Sequence, residues 1–448
     1  MRQSSQVVSL MLAVIGFGVA LWPRSYALMP SEGGPCRIAL WPRLLRFPVF
    51  WLGLLLLLYI LLQITNPSWR YVQNTDFWWL VRVKDRSWLP TSIQAPFSRF
   101  NPWRQLIIYA SIWLLVCSVW VGLTRRKSLR MLLTAIVCNA LALGVLLAIQ
   151  RVTDNHRIPW PLTDWTDLGL TATFISYNHT GAFFALTVFC AFALASWHLD
   201  FGERSLLKST PASAFAFAGL LLFGAVFFSL SRGASLSLIV GIAIGGAWFL
   251  VRRSLRPNSG GTNPLVAKAM MAVFLVFALI VIHYLDFSQI FRRWDVFLVQ
   301  GAHESSVRER LLAREAGFKM LNDHWLRGVG AGCFRHLFPE YAKFYPDIYK
   351  GGQMFWEHAH CDWLEIPIEL GLVGDLLLLG GVAWWFMLFF RSRAFLHPLA
   401  VPLLLGCGQT LIHAYIDFPF QCPAILATWC VMLAIAGRYV EIEQHGRI

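Results

Sequence analysis

Long apolar stretches alternate with short basic segments along this chain. An uncharged apolar run of about 20 residues is long enough to cross the hydrocarbon core of a bilayer as an α-helix. Eleven such runs predict spans near residues 5–22, 47–65, 105–123, 130–150, 179–198, 212–230, 233–250, 267–284, 368–390, 398–415 and 421–437. The pattern therefore predicts an all-α fold, a polytopic transmembrane helix bundle of about 11–12 spans.

The composition excludes a soluble protein. Of the 448 residues, 57% are hydrophobic and only 14% are charged, whereas soluble domains have roughly 45–50% apolar and about 25% charged residues. So few charges cannot cover the surface of a water-soluble particle, and disordered chains are far more polar. The nine cysteines show no CxxC or CxxH spacing, so neither a zinc site nor a disulfide framework is indicated.

The distribution of basic residues predicts the orientation. A net charge of +14 would suggest nucleic acid in a soluble protein, but here it fits basic cytoplasmic loops held against anionic membrane lipid, with no nucleic-acid partner. The basic clusters lie at 24–46, 125–130, 252–256, 391–393 and 438, which alternate spans place on one side. The opposite side then receives the long segment 285–367, and this side is the periplasm if the cell is a Gram-negative bacterium.

The predicted topology divides the chain into three regions. Residues 1–284 carry helices one to eight, 285–367 form a large, partly helical periplasmic loop with the catalytic residues, and 368–448 carry the last three spans and a cytoplasmic tail. Within the loop, 306–326 predict an amphipathic helix, and the aromatic stretch 338–349 predicts a segment at the membrane surface. The apolar side of the helix comprises Leu311, Ala313, Ala316, Met320 and Leu321.

Arg232 is the first candidate for chemistry. The sequence Ser231-Arg232-Gly-Ala-Ser235 separates two apolar runs with almost no loop between them. An ionisable side chain at the end of a span is a functional candidate, and a phosphate group satisfies the donors of a guanidinium well. An arginine that ends a helix and reaches the membrane surface is the alternative.

The second candidate is the cluster of His358, His360 and Asp362. Histidine exchanges protons near neutral pH, so either imidazole could act as a general base towards a sugar hydroxyl. Alternating residues of an extended segment share a face, so the three could instead bind a metal. A hydrogen-bonded loop histidine at a helix N-terminus is the third possibility.

Three arginines form the last candidate: Arg308, Arg310 and Arg314. Arg310 and Arg314 are one helical turn apart and could bind a pyrophosphate together, whereas Arg308 and Arg310 point apart. A solvated helix face paired with Glu309 and Glu315 explains the same run. The glycines of Gly328-Val-Gly-Ala-Gly332 follow no strand of a βαβ unit, so a flexible turn suffices to explain them.

In their order, these motifs resemble the O-antigen ligase and O-antigen polymerase family of bacterial membrane glycosyltransferases. The resemblance rests on Ser231-Arg232-Gly, Arg310 followed by the glycine-rich turn, and His360-Cys-Asp-Trp-Leu-Glu-(x)3-Glu-Leu-Gly371. Tyr177-Asn178-His179 and the stretch 413–418 add to it. Histidine followed ten residues later by glycine is its most specific element.

The resemblance implies a GT-C-like enzyme that moves a glycan from an undecaprenyl-pyrophosphate carrier to an acceptor hydroxyl, such as a glycan or lipid A-core, with inversion. It implies no cofactor, metal or nucleotide sugar. His360 would be the base, and Arg232 and Arg310 would bind the pyrophosphate. His358, Arg314, Asp362, Asn178 and His179 would support them. An O-antigen ligase in the assembly of lipopolysaccharide or a related surface polysaccharide is the leading interpretation.

Other functions stay open at this point. A polymerase or a protein O-oligosaccharyltransferase differs from a ligase only in its acceptor. A transporter or lipid flippase predicts ionisable groups near mid-membrane in two similar halves, which this sequence lacks. Cys361 stands where the family often has Asn. Ligases of the family commonly have twelve spans, so either a further span is present, for example within 66–104, or the first span is additional.

Overall fold

The computed structural model describes residues 3–22, 25–26, 36–37, 40–153, 170–205, 209–254, 305–350 and 355–445. The chain divides into two compact units. The first unit comprises 1–124 and 305–389, and the second comprises 125–304 and 390–448.

The elements are almost all helical. In chain order they are α1 (Gln3–Leu21), β1 (Ser25–Tyr26), β2 (Cys36–Arg37), α2 (Leu40–Leu45), α3 (Pro48–Thr65), β3 (Pro67–Gln73), β4 (Trp78–Arg82), β5 (Ser92–Gln94), α4 (Pro102–Gly122), α5 (Arg126–Thr153), α6 (Tyr177–Arg204), α7 (Ala212–Phe228), α8 (Arg232–Ser254), α9 (Ser305–His324), α10 (Phe334–Leu337), α11 (Pro339–Ala342), α12 (Pro346–Tyr349), α13 (Asp362–Arg391), α14 (Ala400–Ile416) and α15 (Pro423–His445). Short 3₁₀ turns at Ala394–Leu396 and Pro419–Gln421 flank α14.

The helices confirm an all-α, polytopic membrane protein. Eight described helices are long and apolar enough to cross a membrane, and α7 and α14 are shorter apolar helices. These ten coincide with ten of the eleven predicted spans. The predicted span at 267–284 lies outside the described residues.

The suggestion of a further span within 66–104 is wrong. This segment forms a three-stranded sheet of order β4-β3-β5, in which β3 is antiparallel to β4 and parallel to β5. A tight turn joins β3 to β4, because the Asn74 side chain accepts hydrogen bonds from the backbone N–H groups of Asp76 and Phe77. Aromatic residues interrupted by charged ones suit a half-exposed strand better than a lipid-facing helix.

The predicted amphipathic helix is present as α9, and it packs on the first unit's core outside the spans. Ala313, Ala316 and Met320 are fully buried in that core. Leu311 departs from the prediction, since it is 51% exposed while Leu312 packs against the core instead.

The aromatic stretch 338–349 is buried on one side only. Phe338 and Ile348 are buried in the same core as α9, and Tyr341, Tyr345 and Tyr349 pack against it. Three short helices, α10 to α12, fold these side chains inward, whereas Phe344 is 69% exposed. That the exposed side lies at a membrane surface stays a prediction.

In the second unit, α6 is deeply buried, since Phe184, Leu186 and Leu194 are fully inaccessible to solvent. Small residues let its neighbours approach closely. An added Cβ at Gly241 of α8 or Gly406 of α14 would lie within 2.8 Å of the Phe189 side chain. The core of this unit is therefore built around α6, with α8 and α14 against it.

Candidate functional site

A break in α13 determines the local architecture around His360. Gly371 has φ +65° and ψ −175° inside the helix, a conformation essentially restricted to glycine. The break frees backbone carbonyl groups, which accept hydrogen bonds from the glycine-rich turn: Val329 N–H donates to Ile368 O at 2.9 Å, and Gly330 N–H to Glu369 O at 3.0 Å.

The backbone segments at Gly328 and Gly371 cross at very short range. A Cβ on Gly371 would lie 2.5 Å from the Gly328 nitrogen, and one on Gly328 would lie 2.3 Å from the Glu369 carbonyl oxygen. Side chains cannot be accommodated at either position. The turn at 328–332 is therefore a fixed packing element rather than the flexible turn expected from the sequence.

His360 lies just before α13 in a left-handed backbone conformation, with φ +50°. Its imidazole is half-buried and lies edge-to-face with Trp356, 5.4 Å between ring centroids. Its carbonyl oxygen accepts a 3.5 Å contact from the guanidinium of Arg314. A β-carbon makes this backbone conformation unfavourable, so neighbouring groups must hold it.

His358 is held at both ring nitrogens. Its Nδ1 lies 2.7 Å from Glu365 Oε1, and its Nε2 lies 3.1 Å from Arg335 Nη2. A guanidinium can only donate hydrogen bonds, so Nε2 is the acceptor and Nδ1 carries the proton that goes to Glu365. Both nitrogens that a metal would need are thus already engaged by protein groups.

Two buried carboxylates hold the surrounding loops, and their roles were not predicted from the sequence. Glu365 Oε2 accepts a hydrogen bond from the Ala359 N–H at 2.7 Å. One turn later, Glu369 accepts from the N–H groups of Gly332 at 2.8 Å and Phe334 at 3.0 Å. Both residues are at most 3% exposed. Two acidic residues four positions apart at the start of an apolar run were the available signal.

The arginines of α9 differ in their surroundings. Arg308 is exposed and pairs with Asp347 at 2.7 Å, whereas Arg310 and Arg314 are half-buried. Helix α9 lies directly against the start of α13, since a Cβ on Gly317 would approach the Leu364 side chain to 2.8 Å. The first unit thus brings Arg314 to the His360 turn and carries Arg310 one helical turn away.

Asp362 and Cys361 complete this turn. Asp362 is the first residue of α13 and is 1% exposed. Cys361 is buried, and this burial raises the pKa of its thiol. The thiol therefore stays protonated at neutral pH.

In the second unit, Arg232 is the first residue of α8 and is half-buried. The Ser231 hydroxyl caps the helix by accepting a hydrogen bond from the Ala234 N–H at 3.3 Å. Leu230, with φ +63°, makes the sharp reversal from α7. The short connection predicted from the sequence is therefore a capped, strained turn. This turn fixes the backbone position of Arg232 at the start of α8.

Asn178 and His179 lie in the first turn of α6. Asn178 is buried, and His179 Nε2 contacts the Phe418 carbonyl oxygen at 3.2 Å. At the end of α14, His413 lies 3.9 Å from Asp417, and a Cβ on Gly233 would lie 3.0 Å from the His413 ring. The start of α6, the start of α8 and the end of α14 therefore meet beside Arg232.

Sequence reasoning did not assign roles to His413 and Asp417. The signal was present, since both belong to the stretch 413–418 that entered the family resemblance. In the part of the chain that the structure describes, no group of three His, Cys, Asp or Glu side chains has the arrangement of a metal site.

Comparison with protein families matches residues 217–379 to the family model described as O-antigen ligase. This range contains Arg232, Arg310 and the whole turn from His358 to Gly371, and the match confirms the resemblance found in the sequence. No curated protein matches the chain.

Proposed function

We propose, from the match of residues 217–379 to the family model described as O-antigen ligase, that the protein transfers a glycan from an undecaprenyl-pyrophosphate carrier to an acceptor hydroxyl, with inversion. The family supports glycan transfer in surface polysaccharide assembly by a multi-pass membrane enzyme. The observation that supports this reaction best is the left-handed backbone turn at His360, whose carbonyl oxygen is contacted by Arg314 of helix α9.

The proposed reaction is one displacement at the anomeric carbon. The acceptor oxygen forms a bond to that carbon as the bond to the carrier's phosphate oxygen breaks. The hydroxyl proton passes to the His360 imidazole, and the electron pair of the broken bond leaves with the lipid pyrophosphate. Such a reaction needs one base and fixed positive charge for the leaving group.

Arg232 and Arg310 are proposed to supply that charge. Guanidinium groups form paired, charge-assisted hydrogen bonds with phosphate oxygens, and their charge does not depend on pH in the working range. Arg314, Asp362, Asn178 and His179 are proposed to support them. The fixed starts of α8 and α6 support this assignment, because a preorganised cation costs no reorganisation as charge develops.

The location follows from the basic loops rather than from the site. We propose that the protein lies in the inner membrane of a bacterium with its active site facing the periplasm, where the acceptor is a lipid A-core or another glycan. Polymerisation of repeat units and protein O-glycosylation use the same chemistry. Incubation with a lipid-linked glycan and defined acceptors separates them: one added block per acceptor indicates a ligase, and a ladder on the carrier a polymerase.

Arginine variants test the proposal. We expect Arg232→Ala and Arg310→Ala to lower the transfer rate by about 100-fold or more, and the Lys variants to retain part of it, because a point charge replaces a bidentate donor. Arg308→Ala is the matched control on α9, since Arg308 pairs with Asp347 at the exposed surface, and it should stay within about twofold of wild type. Unchanged rates in the first two Ala variants would contradict the assignment.

A further inference from the structure

We propose that Glu365 is a positioning residue for His360, and that it acts through His358 and the backbone of Ala359. This inference rests on the proposed function of His360 as the base. It assigns His360 as the base and His358 as a residue that holds the turn in place. It also gives a role to Glu365, which the proposed reaction does not use.

The carboxylate of Glu365 engages two consecutive residues of the turn. Oε1 receives the His358 Nδ1–H at 2.7 Å, and Oε2 receives the Ala359 N–H at 2.7 Å. The next residue along the chain is His360, whose φ of +50° is unfavourable for any residue with a β-carbon. Holding the two preceding residues from one buried side chain is what fixes this conformation.

The Nε2 side of the His358 ring is also held by protein groups. Arg335 donates to His358 Nε2 at 3.1 Å, lies 3.6 Å from Glu357, and has its guanidinium carbon 4.7 Å from the centre of the Phe100 ring. His358 therefore links α10 to α13 with its proton confined to Nδ1. Because its other lone pair is occupied by Arg335, His358 has no basic nitrogen left for an acceptor hydroxyl.

The substitution Glu365→Gln breaks this pairing without changing the shape of the side chain. Its amide offers one acceptor and one donor, so either His358 Nδ1–H or Ala359 N–H meets a donor. We therefore expect the substitution to misplace the His360 imidazole.

Glu369 provides a matched control one turn along the same helix. It is as buried as Glu365 and also accepts two hydrogen bonds, but these come from the backbone of Gly332 and Phe334 rather than from the His360 turn. Glu369→Gln therefore reports the general cost of losing a buried carboxylate, and Glu365→Gln reports that cost plus any effect on His360.

The test measures kcat and KM for the lipid-linked donor for purified wild type, Glu365→Gln, Glu369→Gln and His360→Ala, with the melting temperature of each. We expect Glu365→Gln to lower kcat by about 10–100-fold with KM within about twofold. Glu369→Gln should melt at a similarly reduced temperature and keep most of the wild-type kcat.

Two His358 variants sharpen the distinction. Asn places an amide near the position of Nδ1 and can still donate to Glu365, whereas Gln places it near Nε2 and cannot. We expect His358→Asn to retain most of the activity and His358→Gln to lose about tenfold or more; equal, complete losses would assign the base to His358 and overturn the proposal.

The outcomes separate this inference from the proposed function. If His360→Ala retains wild-type transfer, the proposed function fails and no positioning role remains. If His360→Ala is inactive while Glu365→Gln matches Glu369→Gln in kcat and KM, only the positioning role of Glu365 is refuted.

Discussion

Replacing Gly371 with alanine tests the physical origin of the spacing between His360 and its glycine. Alanine at φ +65° and ψ −175° costs about 1–3 kcal/mol in backbone strain. Its Cβ would also lie 2.5 Å from the Gly328 nitrogen, so the turn must move. The hydrogen bonds to Ile368 O and Glu369 O, at 2.9 and 3.0 Å, then weaken, at about 1 kcal/mol each. We expect a total loss of about 3–5 kcal/mol.

Gly381→Ala is the matched control in the same helix. No atom lies within 4 Å of a Cβ at Gly381, so alanine there should be neutral or stabilising by up to about 1 kcal/mol. Thermal unfolding of the protein in lipid nanodiscs, followed by tryptophan fluorescence at a fixed scan rate, compares the two. Gly371→Ala should melt roughly 3–6 °C below Gly381→Ala. Equal melting temperatures would refute the idea that Gly371 is needed for the close backbone crossing with Gly328.

Two further predictions concern pH and metal ions. His336 is buried, donates to the Phe100 carbonyl oxygen at 2.7 Å, and has its pKa lowered to about 4 by burial. Since an unfolded histidine titrates near 6.5, the folded protein should lose up to about 3 kcal/mol as the pH falls from 6.5 to 4. Melting curves should show a smaller decline for His336→Gln, and parallel declines would contradict this. Glycan transfer should survive EDTA, because the arginines are proposed to replace a metal; a strict need for an added divalent cation would contradict that role.

Hydropathy was sufficient to predict the helices but not the elements outside them. Spans follow from local composition alone, because every backbone polar group in lipid must be satisfied within the helix. The burial of Phe338 and Ile348 depends instead on α9 packing over them, and the sheet at 67–94 depends on pairing between strands. Such contacts join positions far apart in the sequence, so no local pattern reveals them.

The candidate site was predicted in part for a similar reason. His360, Arg232 and Arg310 stand out because they belong to recognisable motifs at the ends of apolar runs. Glu365 belongs to the same motif, but its role depends on which atoms it meets, and His358 could not be distinguished from His360 by spacing. Only the contacts to Glu365 and Arg335 show that its two nitrogens are already engaged.

The most direct test of the account is a single-turnover transfer assay with purified protein, a lipid-pyrophosphate glycan, an acceptor and EDTA. Wild type should release lipid pyrophosphate and form product with inverted anomeric configuration. His360→Ala should bind the donor with nearly wild-type affinity and form product at least about 100-fold more slowly. Product formation by His360→Ala at the wild-type rate would contradict the central claim that this imidazole accepts the acceptor's proton.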